Sequence, residues 1–328
     1  MVRLRPELGK MSDEPTNSTT ADCAPSAIDA SGATDRASWL QAIDDIGEEA
    51  GYFQTLGAKH WAYFRDDSPT LLVTFETIDA IRANATQLPS GDAVATKNGW
   101  SHLCIIADGD TWYRDPAIYR FFDRQVDDAF FEDFDTVVFY GAGMGGYAAC
   151  AFSVTAPGAT VLAISPRATL DPARVAWDKR DMAHRRMNFK SRYGYAPDMT
   201  EGAGQVFIAF DPDFAPDAMH AALFTRPWVT ALLTLHLKDL VETGLVQMAI
   251  LPLMIEAAAA NKLSPKSFAC LWRARRKYTP YLKTLLGKAK TTKHPNREFK
   301  ICNNVTRRLN APTFRKRLVE LEAERRKS

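Results

Sequence analysis

Residues 136–149 read Thr-Val-Val-Phe-Tyr-Gly-Ala-Gly-Met-Gly-Gly-Tyr-Ala-Ala, and no other stretch restricts the fold as much. A β-branched and aromatic run stops at four glycines, and an Ala-rich segment of helical character follows at once. This predicts a strand, a very tight turn and a helix. Glycine suits such a turn because it tolerates positive φ and close backbone approach. The geometry serves two chemistries. Written G-x-S-x-G, it lifts a nucleophilic serine above a sheet. Written G-x-G-x-x-G, it seats a pyrophosphate on the helix N-terminus. Gly141, Gly143 and Gly146 match the second spelling; the first is matched except at its nucleophile, because position 143 is glycine.

The rest of the chain predicts a mostly parallel α/β sheet. Continuous apolar runs at 71–75, 102–107, 160–164, 205–210 and 229–235 alternate with helical stretches such as 118–131. Strands apolar on both faces belong to sheets covered by helices on both sides. Residues 167–204 form a long charged excursion between two strands, and the expectation is a cap-like insertion. Residues 1–37 are rich in Ser, Thr, Asp, Ala and Pro and read as a disordered tail. The division expected is therefore a tail over 1–37, an α/β domain over 38–260 and a helical segment over 261–328.

Charge divides the chain further. Net charge is only +2, but residues 261–328 hold 20 Lys/Arg against 4 Glu, which is +16 against −14 for the remainder. Such a segment either docks on the acidic body or meets an anionic partner such as nucleic acid. Its periodic apolar residues, among them Phe268, Leu271, Trp272, Tyr281 and Leu285, favour docking. No run approaches the roughly 18 apolar residues of a membrane span. The five cysteines show neither paired nor metal-ligand spacing, so no metal is expected and a reducing cytoplasm is the simplest location.

The pyrophosphate reading wants the glycine turn on the first strand and an acid about 20 residues on. Here strands precede the turn, and Ser165-Pro166-Arg167 stands where the acid would be, a pair compatible only with a 2′-phosphate and hence NADP. The nucleophile reading wants several strands first, then an acid after one strand and a histidine after the next. Asp211 and Asp217 follow the 205–210 strand, and His236 follows the 229–235 strand. His220, between Met219 and Ala221, reads as packing or capping.

With those residues in place, the Gly143-Met144-Gly145-Gly146-Tyr147-Ala148-Ala149 stretch resembles the elbow of serine α/β-hydrolases, where G-x-S-M-G-G-Y-A-A is a frequent form. The acid and histidine segments resemble those of bacterial members linked to surface-polysaccharide and acyl-transfer work. The resemblance covers roughly residues 60–260. It implies an α/β-hydrolase-like fold with Gly143 as a vacant nucleophile position, His236 as the base, and Asp211 or Asp217 as the acid. It also implies an oxyanion hole built from the Met144 amide and the loop at Gly109 and Asp110, a loop that equally reads as a turn and N-cap. The function implied is a catalytically impaired hydrolase relative without a cofactor, binding a small, glycan-like or protein ligand in the cleft. Two alternatives stand beside it: an active hydrolase or acyltransferase using another nucleophile, such as Ser165 or a water activated by His236, and an NADP-dependent oxidoreductase.

Overall fold

The computed structural model describes residues 29–327. Its centre is an eight-stranded sheet: β1 (Gly51–Thr55), β2 (His60–Arg65), β3 (Thr70–Thr77), β4 (Ser101–Ala107), β5 (Thr136–Ala142), β6 (Thr160–Ile164), β7 (Gln205–Phe210) and β8 (Val229–Leu233). The order across the sheet is β1-β2-β4-β3-β5-β6-β7-β8. β2 runs antiparallel to both neighbours, and the pairs from β4 through β3 to β8 are parallel. The expected α/β class, with a mostly parallel sheet flanked by helices and a C-terminal helical appendage, is the one present. Dinucleotide-binding sheets open on their glycine-turn strand in the order 3-2-1-4-5-6; here four strands precede β5, so the oxidoreductase alternative loses its frame.

The period of two along each strand divides the core. Leu71, Val73, Phe75, Phe139, Val161 and Ile208 face one side, with Phe121, Phe122, Tyr147 and Phe152 from the helices Pro116–Asp127 and Met144–Phe152. Leu72, Val138, Leu162, Phe207 and Leu232 face the other, under Met254, Leu263, Phe268 and Trp272. Both faces are thus buried, which is why these strands read as unbroken apolar runs. A third cluster joins Trp39 and Ile43, on the helix Arg36–Ala50, to Trp61, Tyr63 and Ile106. That helix starts at a capping box between Asp35 and Ser38.

Two boundaries differ from expectation. Residues 1–28 of the expected tail lie outside the described residues. Residues 29–37 are already held: Ala30 is buried, its amide donates to Thr86 O, and a helix begins at Arg36. The cut at 260 falls inside a packed unit, since Leu263, Phe268 and Trp272 complete the body's second core face. Only from residue 279 does the segment build a core of its own, where Leu282, Leu286, Cys302, Val305, Phe314 and Leu321 meet. Electrostatic docking is also slight. Among the described residues, Lys288 to Asp213 is the single ion pair joining 261–328 to the body, so apolar burial rather than charge attaches it.

Candidate functional site

The turn after β5 has the shape predicted for it. Gly143 lies at φ +54°, ψ −112°, between the last residue of β5 and the helix Met144–Phe152. Its amide donates to Ile164 O at 2.9 Å, and its carbonyl accepts from the Tyr147 amide at 3.0 Å. The glycines differ in what they permit. A Cβ on Gly141 would lie 2.2 Å from Gly145 O, and one on Gly145 would lie 2.4 Å from Phe75 O. Backbone crowding therefore demands glycine at both. A Cβ on Gly143 would have nothing within 4 Å. Position 143 has room for a side chain and lacks one; only its positive φ favours glycine.

Gly143 opens onto a hollow of about 210 Å³ whose other lining residues include Ser165, Arg167, Arg180, Asp217, Asp239 and Glu242. Ser165 follows β6 at φ +45°, and its Oγ is buried without a hydrogen-bond partner among the described residues. Asp217 accepts from Arg180 Nη1 at 2.6 Å and from Arg167 Nη1 at 3.4 Å. It was expected as acid or helix cap, but no side chain caps the helix Ala215–Ala221, and Asp217 is spent on the arginines. Arg180 also forks onto Asp178, with Nη2 at 2.7 Å from Oδ2 and Nε at 3.0 Å from Oδ1. Burial pushes the Asp178 carboxyl up, but the Arg180 bonds outweigh it and hold the group well below the usual carboxylate range. Tyr140 donates to Glu242 at 2.8 Å, while burial raises the Glu242 carboxyl above its ordinary value.

His220 is fully buried behind this network. Its Nδ1 accepts from the Ala168 amide at 3.1 Å and its Nε2 meets Asp178 Oδ2 at 2.9 Å. The amide fixes the tautomer: Nε2 carries the proton and donates to Asp178. Burial lowers the ring to about 4. With both nitrogens engaged, His220 holds the excursion to the helix and has no lone pair to offer a substrate, which agrees with its reading as a packing residue.

His236 lies in a different place. At φ +72° its ring sits 5.6 Å from that of Tyr281, and its Nδ1 is 3.3 Å from Asp213 Oδ2. It lines a separate hollow with Leu285, Lys288 and Arg297 of the C-terminal segment. The acid beside it is Asp213, not Asp211 or Asp217. Asp211 is wholly buried and accepts from the amides of Asp213 (3.0 Å) and Lys238 (2.6 Å), tying the loops after β7 and β8 together. The order acid-then-histidine is present in the chain, but of these candidates only Asp217 shares a hollow with Gly143, and His236 lies in another.

The expected oxyanion loop also differs. β3, not β4, is the neighbour of β5, so the segment beside the elbow is Thr77 and the helix Ile78–Arg82 that it caps. Gly109 and Asp110 sit exposed at the tip of the loop after β4. That loop touches the elbow through Trp112, whose amide donates to Met144 Sδ at 3.1 Å. The Met144 amide heads its helix and has no acceptor within it. Beneath the sheet, Glu76, His102 and Cys104 bring three donor atoms within 4.8 Å of one another. Glu76 there already accepts from the Ser90 and Gly91 amides, and His102 Nε2 bonds Thr74, so these donors serve the fold.

Sequence reasoning missed Arg180, Asp178, Asp239 and Glu242. The only local signal was the dense run Asp178-Lys179-Arg180-Asp181 in an excursion that otherwise crosses the fold.

The chain matches no protein-family model and no curated protein. Among solved structures it is similar to the capsule O-acetyltransferase of Neisseria meningitidis serogroup A, at 12% identity over 56% of this chain and 86% of that one, TM-score 0.39. It is also similar to the esterase domain of a Rhodothermus marinus protein, at 15% identity over 65% and 92%, TM-score 0.37. A third is FphF, a fluorophosphonate-binding serine hydrolase of Staphylococcus aureus, at 10% identity over 60% and 92%, TM-score 0.39.

Proposed function

We propose that this chain is a catalytically impaired relative of the α/β-hydrolases that binds a ligand in the elbow hollow. One observation carries the reading: the open position where a nucleophile would project is Gly143, and no histidine lines its hollow among the described residues. Nucleophilic catalysis needs a nucleophile and a base within hydrogen-bond reach; Gly143 supplies no nucleophile, and the Ser165 Oγ in the same hollow has no hydrogen-bond partner among the described residues to act as its base. What the hollow does offer is recognition. Donors (the guanidinium groups of Arg167 and Arg180, and the Ser165 hydroxyl) alternate with the acceptors Asp217, Asp239 and Glu242. Mixed donors and acceptors on a small, walled surface suit a neutral polyhydroxylated group, and this favours a glycan-like ligand over an anion or an apolar chain.

The test pairs reactivity with binding. A fluorophosphonate probe is expected to leave the protein unlabelled, p-nitrophenyl acetate to be hydrolysed at the buffer rate, and a panel of mono- and disaccharides to include one that raises the melting temperature. Stoichiometric labelling, at Ser165 or elsewhere, overturns the impaired-enzyme reading.

A further inference from the structure

The C-terminal segment keeps most of its charge excess. Three of its four acids, Glu298, Glu320 and Glu324, gather on Arg317, at 2.9, 3.1 and 3.2 Å. Its one ion pair to the body, among the described residues, uses Lys288. Among the described residues, the remaining Lys and Arg of the segment, Arg325 aside, have no carboxylate within ion-pair distance.

Part of that excess converges. A hollow of about 520 Å³ opens between the end of the helix Val241–Gln247 and the turn leading into the helix Thr279–Thr291. Arg273, Arg276, Lys277 and Arg308 line it, and no carboxylate does. None of the four is within ion-pair distance of a carboxylate among the described residues. Two contacts set its shape. Arg308 is aimed by Asn304, which accepts from its Nε through the carbonyl at 3.2 Å and from Nη2 through Oδ1 at 2.7 Å. Tyr278 donates to Gln247 Oε1 at 2.7 Å and fixes the opposite wall.

We propose that this hollow seats the phosphodiester backbone of nucleic acid. Four converging cations repel one another unless an anion lies between them. Three of the four are guanidinium groups, whose planar forks match phosphate oxygens two at a time. An extended polyanion fits better than a single phosphate, because the uncompensated charge runs along the whole segment and not only at the hollow. The site is separate from the elbow and does not depend on the reading given for it.

The experiment uses the full chain and a fluorescein-labelled 20-nucleotide RNA, with polarisation read from 50 to 200 mM KCl. Neutralising four phosphates of a single strand gives a log–log salt slope of about −3. The triple variant Arg273→Ala/Arg276→Ala/Lys277→Ala changes only exposed side chains. It is expected to bind at least tenfold more weakly at 100 mM KCl, with a slope shallower by about 2. A control, Lys283→Ala/Lys316→Ala, removes two exposed cations outside the hollow and is expected to change the slope by less than half as much. Circular dichroism confirms that both variants are folded. An equal loss in the control overturns the proposal, because the charge then acts diffusely. So does a mononucleotide that competes as well as the 20-mer, or binding to phosphatidylglycerol vesicles without binding to RNA.

Discussion

His236 lies tilted against Tyr281, 5.6 Å between ring centroids, and faces Asp213 and Lys288 rather than the hollow at Gly143. The base that would serve a nucleophile is turned toward the C-terminal helices. Gly143→Ser is therefore expected to fold, since a Cβ there meets nothing within 4 Å. Holding a non-glycine residue at φ +54° costs of order 1–3 kcal/mol, read as a melting temperature a few degrees lower. The new serine is expected to remain unlabelled by a fluorophosphonate. Labelling of Ser at 143 would mean that His236 swings back to the elbow in solution.

The neighbouring glycines give the opposite result. Gly145→Ala drives a Cβ to 2.4 Å from Phe75 O, a backbone atom in the central sheet. The strand cannot yield without breaking its pairing with β4 and β5, so a loss of about 3 kcal/mol or more is expected in urea unfolding. Gly143→Ala, side by side with it, is expected to cost no more than the φ term. Equal costs would show that the elbow relaxes as a whole.

Much of this was legible in the sequence, and the reasons are physical. Strands β3 to β7 announced themselves because burial on both faces makes them unbroken apolar runs; β8, half-exposed at the edge, showed only as a short apolar run. β1 and β2 did not. Gly51–Thr55 is a half-exposed edge strand, and His60–Arg65 buries His60 and Tyr63 among apolar residues, so neither shows a clean period. The elbow was legible because glycine reports backbone geometry directly. Its surroundings were not, because Arg180 and Glu242 arrive from distant segments and Asp239 from a loop, with no spacing that links them. The register of His236 was misjudged for a similar reason: its position after β8 is topological, while its direction is set by φ +72° and by Tyr281, 45 residues on.

Acid is expected to weaken the fold before the carboxylates titrate. Burial lowers His60 to about 4, His102 to about 3 and His220 to about 4. The unfolded chain takes up protons near pH 6.5 that the folded chain refuses. Stability is then full above 6.5 and falls as pH drops toward 4, by up to about 1.4 kcal/mol per pH unit for each histidine. Glu76 and Glu242, raised by burial, act in the opposite sense. Urea midpoints at pH 7.5, 6 and 5 measure the sum, and His220→Gln isolates one contribution by flattening the slope. A midpoint unchanged from pH 7.5 to 5 would contradict the buried neutral state of these rings.

Two truncations separate the roles of the C-terminal segment. Ending the chain at 278 removes the small core around Leu282, Leu286 and Phe314 but leaves Phe268 and Trp272 on the sheet. A soluble protein with a modestly lower melting temperature is expected. Ending it at 260 strips Leu263, Phe268 and Trp272 as well, at about 1.5–3 kcal/mol for each buried side chain, and aggregation is expected. Because a single ion pair joins segment and body among the described residues, 1 M salt is expected to change neither outcome. A 260-residue protein as stable as the full chain would show that the second face needs no cover.

That cover has a consequence for biosynthesis. Leu72 in β3 and Trp272 lie in the same apolar cluster, 200 positions apart. A chain made from its N-terminus exposes that face of the sheet until residue 272 clears the ribosome. For most of translation the nascent protein carries an uncovered apolar surface bounded by Val138, Leu162, Phe207 and Leu232, of the kind that chaperones hold. The small cluster from Leu282 to Leu321 emerges last and draws on neighbours close in sequence, so it closes quickly once its residues are free.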